Sequence, residues 1–243
     1  MVRTVRNPAL VAQGVIFPLF IYAFNVGGLE LATDLPGFPT ESYVTFSLAL
    51  TFAYCGIYAV TVAGAQLGED VKTGFVRRMT LTPLPGAVLL LAQLGGVVLF
   101  AVVQATAFLL IGFAAGARVE AGPAGALLII GLAALFSVAF GSLGLTVALV
   151  TRSSEAVQAV FPLFMAALFF SSVGLPRELI QTDWFQLIAT YNPVSYLIEA
   201  PRSLLVDGWD AQALLLGVLV AAGTLVTALI LTVGSLRSMS VAR

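Results

Sequence analysis

The feature that most limits what this chain can fold into is the number of its apolar windows long enough to cross a membrane. About 30 Å of hydrocarbon takes ~20 helical residues. Five windows meet that length, near 9–28, 44–66, 87–115, 124–150 and 212–235, and a sixth near 156–174 is shorter but almost free of polar interruption. Windows of this length satisfy their backbone groups in lipid as helices. Hydrophobic residues make up 60% of the chain, well above the roughly 45–50% of a soluble domain. The expectation is an all-α integral membrane protein, one transmembrane domain over residues 1–243 with six spans. Arg3 and Arg6 precede the first window, but its apolar run exceeds the usual 7–15 residues of a signal h-region and no A-x-A site follows, so it is expected to be retained.

Six spans place both termini on one side, and the basic residues choose that side. One face would carry Arg3, Arg6, Lys72, Arg77, Arg78, Arg152, Arg237 and Arg243, and the other only Arg118, Arg177 and Arg202. The acids lean the opposite way, with Glu69, Asp70 and Glu155 on the first face and the other nine on the second. The bias points to cytoplasmic termini and a multi-pass protein of the cell membrane.

Several chemistries are excluded. With no histidine, the commonest general base and the Ser-His and Cys-His nucleophile pairs are gone. The single cysteine, Cys55, forms no intramolecular disulfide or cysteine metal cluster, and the one lysine, Lys72, lacks the glycines of a phosphate-binding loop. No catalytic or metal-binding residue is expected. No acid lies at mid-span, which argues against a proton- or sodium-coupled carrier.

Charge concentrates in GEDVKTGFVRRMTLTPLPG, residues 68–86, between the second and third windows. Glu69 and Asp70 come first and Arg77 and Arg78 last, which suits the dipole of a short helix. Val71, Phe75 and Met79 supply an apolar stripe at i, i+4, i+8, and Pro83 and Pro85 end it. The segment reads either as a short amphipathic surface helix or as a solvated loop that fixes topology; spacing alone leaves both open.

A second unusual region, residues 175–209, carries two helical stripes. Ile180, Trp184, Leu187, Ile188 and Tyr191 form one; Val194, Leu197, Ile198, Pro201, Leu204 and Leu205 form the other after an Asn192-Pro193 break. Each piece is too short to span, so two re-entrant or interfacial helices are expected, with Trp184, Tyr191, Tyr196 and Trp209 at headgroup level. Glu199 and Arg202, at i, i+3, are expected to pair, either within an outer gate or as a capping pair. In span 3, Gln93 and Gln104 share one face and either line a pathway or bond between helices. The pairs Gly112/Gly116, Ser137/Gly141 and Gly144/Ala148 keep small-xxx-small spacing, for packing within the chain or at a dimer face.

These residues carry a resemblance. Glu69 with Thr73-Gly74 and Thr82-Pro83 in the charged segment, Asn192-Pro193 with Tyr196 and Arg202 later, and the six-window pattern together resemble the ABC-2 type permeases, the membrane subunits of one class of ATP-binding-cassette exporters. Thr73-Gly74 is inverted relative to the Gly-Thr common in that family. The resemblance implies that residues 68–86 are similar to a coupling helix, with Glu69, Asp70, Lys72, Thr73, Gly74, Arg77, Arg78, Thr82 and Pro83 meeting a separate P-loop nucleotide-binding subunit. It implies ATP and Mg on that subunit and no cofactor on this chain. It also implies a second copy or a related permease as partner, a lipid surround and no nucleic acid. Asn192, Pro193, Tyr196, Glu199 and Arg202 would then form an extracellular re-entrant gate. The expected function is export of an amphipathic or hydrophobic drug, antibiotic or lipid-like substrate; the competing expectation is a secondary carrier or channel-like protein without ATP coupling.

Overall fold

Every apolar window forms a helix. A computed structural model describes residues 8–73 and 86–241, with side chains over 13–73 and 91–232. The described elements are α1 (Pro8–Leu29), a 3-10 turn (Glu30–Asp34), α2 (Tyr43–Lys72), α3 (Gly86–Ala114), α4 (Gly122–Thr151), α5 (Ser154–Phe169), a second 3-10 turn (Arg177–Leu179), α6 (Asp183–Tyr191), α7 (Pro193–Val206) and α8 (Ala211–Val241). Among the described residues there is no strand. Five helices are long and apolar enough to cross a membrane.

The shortfall against six is α5. Its 16 residues rise about 24 Å, less than the hydrocarbon thickness. The helix stops at Phe169, not near 174, and Phe170–Gly174 continues as turns and bends. The segment nevertheless links two ends of the bundle. Glu155 in its first turn meets Lys72, and Gly174 at its far end accepts a hydrogen bond from the Tyr43 hydroxyl at 2.9 Å. Tyr43 and Lys72 open and close α2, a helix of 30 residues and therefore about 45 Å long.

Helix α2 is the axle of the molecule. Its most apolar stretch is wholly enclosed, whereas those of α1 and α8 are 17% buried. A helix apolar all round is one that is buried all round. Its closest neighbour is α4, and glycine permits the approach: a Cβ on Gly64 would lie 2.5 Å from the Gly144 carbonyl oxygen, and one on Gly144 would strike the Val60 backbone. Ser137, Gly141, Gly144 and Ala148 thus serve packing within the chain, as small residues do where helices meet without water to drive them together. Gly112 packs on Leu48, while Gly116 takes φ +94 in the turn after α3, with nothing near its Cβ position.

The charged segment departs from expectation in its first part. Glu69, Asp70 and Lys72 are not the amino end of a separate helix but the last turn of α2. Nothing between Gln66 and Lys72 breaks the ladder, and Gly68 sits against the backbone of Ser154. Thr73 closes the helix, its amide and hydroxyl both donating to the Glu69 carbonyl at 2.9 Å. Gly74, Arg77, Arg78, Thr82 and Pro83, with Phe75 and Met79 of the apolar stripe, lie outside the described residues.

Candidate functional site

The Tyr43 end of the bundle is built by a break in the chain. Asn192 separates α6 from α7: its side-chain oxygen accepts from the Val194 amide at 2.9 Å, and its amide donates to the Ala167 and Phe170 carbonyls at 2.6 and 3.1 Å. Pro193 at the first helical position has no N–H to satisfy there. One asparagine therefore caps α7 and also receives two carbonyls at the frayed end of α5. Both halves of the expected hairpin form, but with opposite faces. Val194, Leu197, Ile198, Pro201, Leu204 and Leu205 are all buried, as their stripe requires. The stripe on α6 points outward, with Trp184, Leu187, Ile188 and Tyr191 exposed and Ala189 the one buried residue of that helix, while Ile180, the first expected member, precedes α6 and is buried.

Glu199 and Arg202 come close in sequence but do not pair. Arg202 is buried, lies 3.8 Å above the Phe46 ring, and donates to the Ser172 and Val173 carbonyls at 2.8 and 3.1 Å. Those carbonyls, stripped of helical partners beyond α5, take the guanidinium that the spacing assigned to Glu199. Burial pulls the Arg202 pKa down to about 10, against the pull of Glu199, so it stays charged at neutral pH. Glu199 instead accepts from Arg177 at 2.6 Å and from the Ser172 hydroxyl at 2.8 Å. Burial pushes its carboxyl up, against the hydrogen bond from Ser172 and the charges of Arg177 and Arg202. Arg177 also lies 4.8 Å from the Tyr196 ring centroid, and its carbonyl accepts from the Gln186 side chain at 3.0 Å. Sequence reading missed Arg177 because loops show no periodicity. The available signal was scarcity, since it is one of only three basic residues assigned to that face.

Two cavities flank this network. One of about 760 Å³ lies between α1, α5 and residues 171–185; its walls include Phe20, Phe24, Phe169 and Ile180, its polar lining is Asn25, Ser171, Gln181 and Thr182, and no charged side chain reaches it. The other, about 340 Å³, is lined by Arg177, Glu178, Glu199, Arg202, Asp207 and Asp210 among others.

At the Lys72 end the expected residues serve the joints between helices. Lys72 meets both Glu155 oxygens at 2.5–2.6 Å, and Ser153 donates to Glu155 at 2.7 Å while capping α5. The Lys72 and Ser153 bonds hold the exposed Glu155 carboxyl down at about 2. Arg152, at the carboxyl cap of α4, takes the left-handed conformation with φ 53, which makes the α4–α5 elbow a tight reversal. Gln93 donates to buried Asp70 at 3.2 Å, and Gln104 donates to the Gly14 carbonyl. The two glutamines thus join helices, α3 to α2 and α3 to α1; Gln93 and Gln104 line neither of the two large cavities.

Among the described residues no group of three or more Asp, Glu, Cys or His side chains could hold a metal, and Cys55 is buried in α2. The family model of the ABC-2 type transporter matches residues 1–206, which takes in everything from α1 to the end of α7. No curated protein matched the chain. The match spans 206 of the 243 residues, and the chain belongs to the ABC-2 type transporter family.

Proposed function

We propose that this chain is the membrane subunit of an ABC exporter that moves a hydrophobic or amphipathic molecule across the cell membrane, driven by ATP hydrolysed on a separate P-loop subunit. The observation that carries the substrate class is the cavity of about 760 Å³, whose lining is apolar with four neutral polar side chains. A site of that chemistry holds an apolar body and orients it with a few hydrogen bonds. A charged solute would lose its hydration there without repayment.

In this reading the Tyr43 end faces outward, because the described members of the more basic set, Lys72 and Arg152, lie at the opposite end. The chain crosses the membrane six times, with residues 156–174 as the fifth crossing. Asn192, Pro193, Tyr196, Glu199 and Arg202 then belong to the outer gate. Residues 68–86 dock on the ATPase through Glu69, Lys72, Thr73, Gly74, Arg77, Arg78, Thr82 and Pro83, while Asp70, buried and bonded to Gln93, holds α3 to α2 behind them. Motion imposed there enters α2, a single helix reaching the outer end, and shifts the bundle between two states. A second copy or related permease completes the pathway.

A carrier driven by protons or sodium would place charged groups near the midplane. The buried charged residues described here, Asp70 and Arg202, belong to the two ends.

The test is co-expression with a P-loop ATPase subunit, tandem purification and reconstitution, comparing wild type with Arg77→Glu/Arg78→Glu. The reversed protein is expected to lose the ATPase on purification and to lose ATP-driven movement of a hydrophobic fluorescent dye. Wild-type assembly and transport by the reversed protein would sink the coupling assignment.

A further inference from the structure

Residues 175–182 separate the two cavities, and their side chains divide by chemistry. Leu175, Leu179 and Ile180 line the apolar cavity, while Arg177 and Glu178 line the charged one. The segment is a two-sided strap with little backbone support: Leu179 and Ile180 donate to the Pro176 and Arg177 carbonyls in one three-residue turn. A segment held by few hydrogen bonds opens at low free energy unless side chains fasten it.

The fastenings differ at its two ends. The root, Ser172–Gly174, is pinned by Arg202 on two carbonyls and by the Tyr43 hydroxyl on a third. Beyond the root, the ion pair of Arg177 with Glu199 binds the strap to α7, supported by the Tyr196 ring beneath the guanidinium, and Gln186 of α6 donates to the Arg177 carbonyl. The pair is half-enclosed, with the two side chains 20% and 19% exposed. It lies on the charged side of the strap, so its release frees the wall of the apolar cavity while leaving the root in place.

We propose that the Arg177–Glu199 ion pair is the latch that closes the apolar cavity toward the charged one, making Arg177 a positioning residue for release of a hydrophobic ligand. The proposal rests on the cavity being part of the transport path. The strap's motion, however, is measurable without transport.

The experiment uses the full chain in nanodiscs with Ile180→Cys as reporter, since Ile180 lines the cavity and is 8% exposed. The native thiol, Cys55, is itself buried. A membrane-impermeant maleimide is added and the labelling rate followed. Loss of a charge-assisted hydrogen bond in a partly enclosed site shifts an opening equilibrium by roughly tenfold. Arg177→Ala is therefore expected to speed labelling roughly tenfold, and the exchanged pair Arg177→Glu/Glu199→Arg to restore part of the slow rate. The exchange guards against a variant that merely unfolds, as does a single cooperative melting transition in Arg177→Ala. An Arg177→Ala protein that melts cooperatively and labels at the wild-type rate overturns the latch. Faster labelling with unchanged dye export would leave the latch standing and remove the cavity from the transport path.

Discussion

Each end of the bundle holds an ion pair, Lys72 of α2 with Glu155 of α5 at one and Arg177 of the strap with Glu199 of α7 at the other, and the pairs are unlike. Lys72 and Glu155 are 38% and 70% exposed, and their hydrogen bonds hold the Glu155 carboxyl down. Arg177 and Glu199 are about 20% exposed, and burial holds the Glu199 carboxyl up despite the same kind of partner. Water screens the first pair and withholds little from either charge, so it adds little to stability. The second has given up hydration, so removing one partner strands the other. Loss of one partner should therefore be nearly silent in the exposed pair and costly in the enclosed one.

Substitutions sharpen that contrast, and the largest effect is expected in the axle that joins the ends. Gly144→Leu would drive a side chain into the Val60 backbone and should cost about 3 kcal/mol or more, read as a large fall in melting temperature of the detergent-solubilised chain. Arg202→Ala comes next, since it leaves the buried Ser172 and Val173 carbonyls without their donor; about 2–3 kcal/mol is expected, with loss of order at the Tyr43 end by hydrogen exchange. Arg177→Ala should cost about 1–2 kcal/mol. Glu199→Gln should cost less, because it sheds a buried charge and keeps two hydrogen-bonding atoms. A larger loss in Glu199→Gln than in Arg177→Ala would invert the comparison. The smallest effect belongs to Glu155→Gln, for which a slight fall in melting temperature at neutral pH is expected, because water screens the pair.

Acid separates the ends as well. The Glu155 carboxyl titrates at about 2 in the folded protein against 4.5 ordinarily. A group whose folded value is depressed contributes stability above its ordinary value and loses it as pH falls toward the folded one. The Lys72 joint should therefore hold to about pH 4.5 and weaken between there and pH 2, a loss absent from Glu155→Gln. Equal acid sensitivity in the two proteins would contradict the assignment.

Much of the scaffold was legible in the sequence because length and hydropathy decide it: each apolar window is a helix, and the α7 stripe is buried residue for residue. Asn192-Pro193 was legible as a break because proline cannot continue a ladder and asparagine can cap one. What failed depended on partners distant in sequence. Spacing set Arg202 beside Glu199, but unpaired carbonyls 29 and 30 residues away claimed it. Arg177 had no pattern to betray it, and the stripe on α6 gave no sign of whether it faced protein or lipid. The joint at Lys72 needed Glu155, 83 residues on, and no local rule pairs residues so far apart.

In the proposed mechanism one continuous buried helix, α2, connects the segment that docks on the ATPase to the latched Tyr43 end. The maleimide labelling rate of Ile180→Cys reads that link in the complex reconstituted with a P-loop subunit, measured with and without ATP. A rate that changes with ATP in the wild-type background and stays constant in Arg77→Glu/Arg78→Glu is the expected result. A rate indifferent to ATP in an assembled complex that hydrolyses it would contradict the claim.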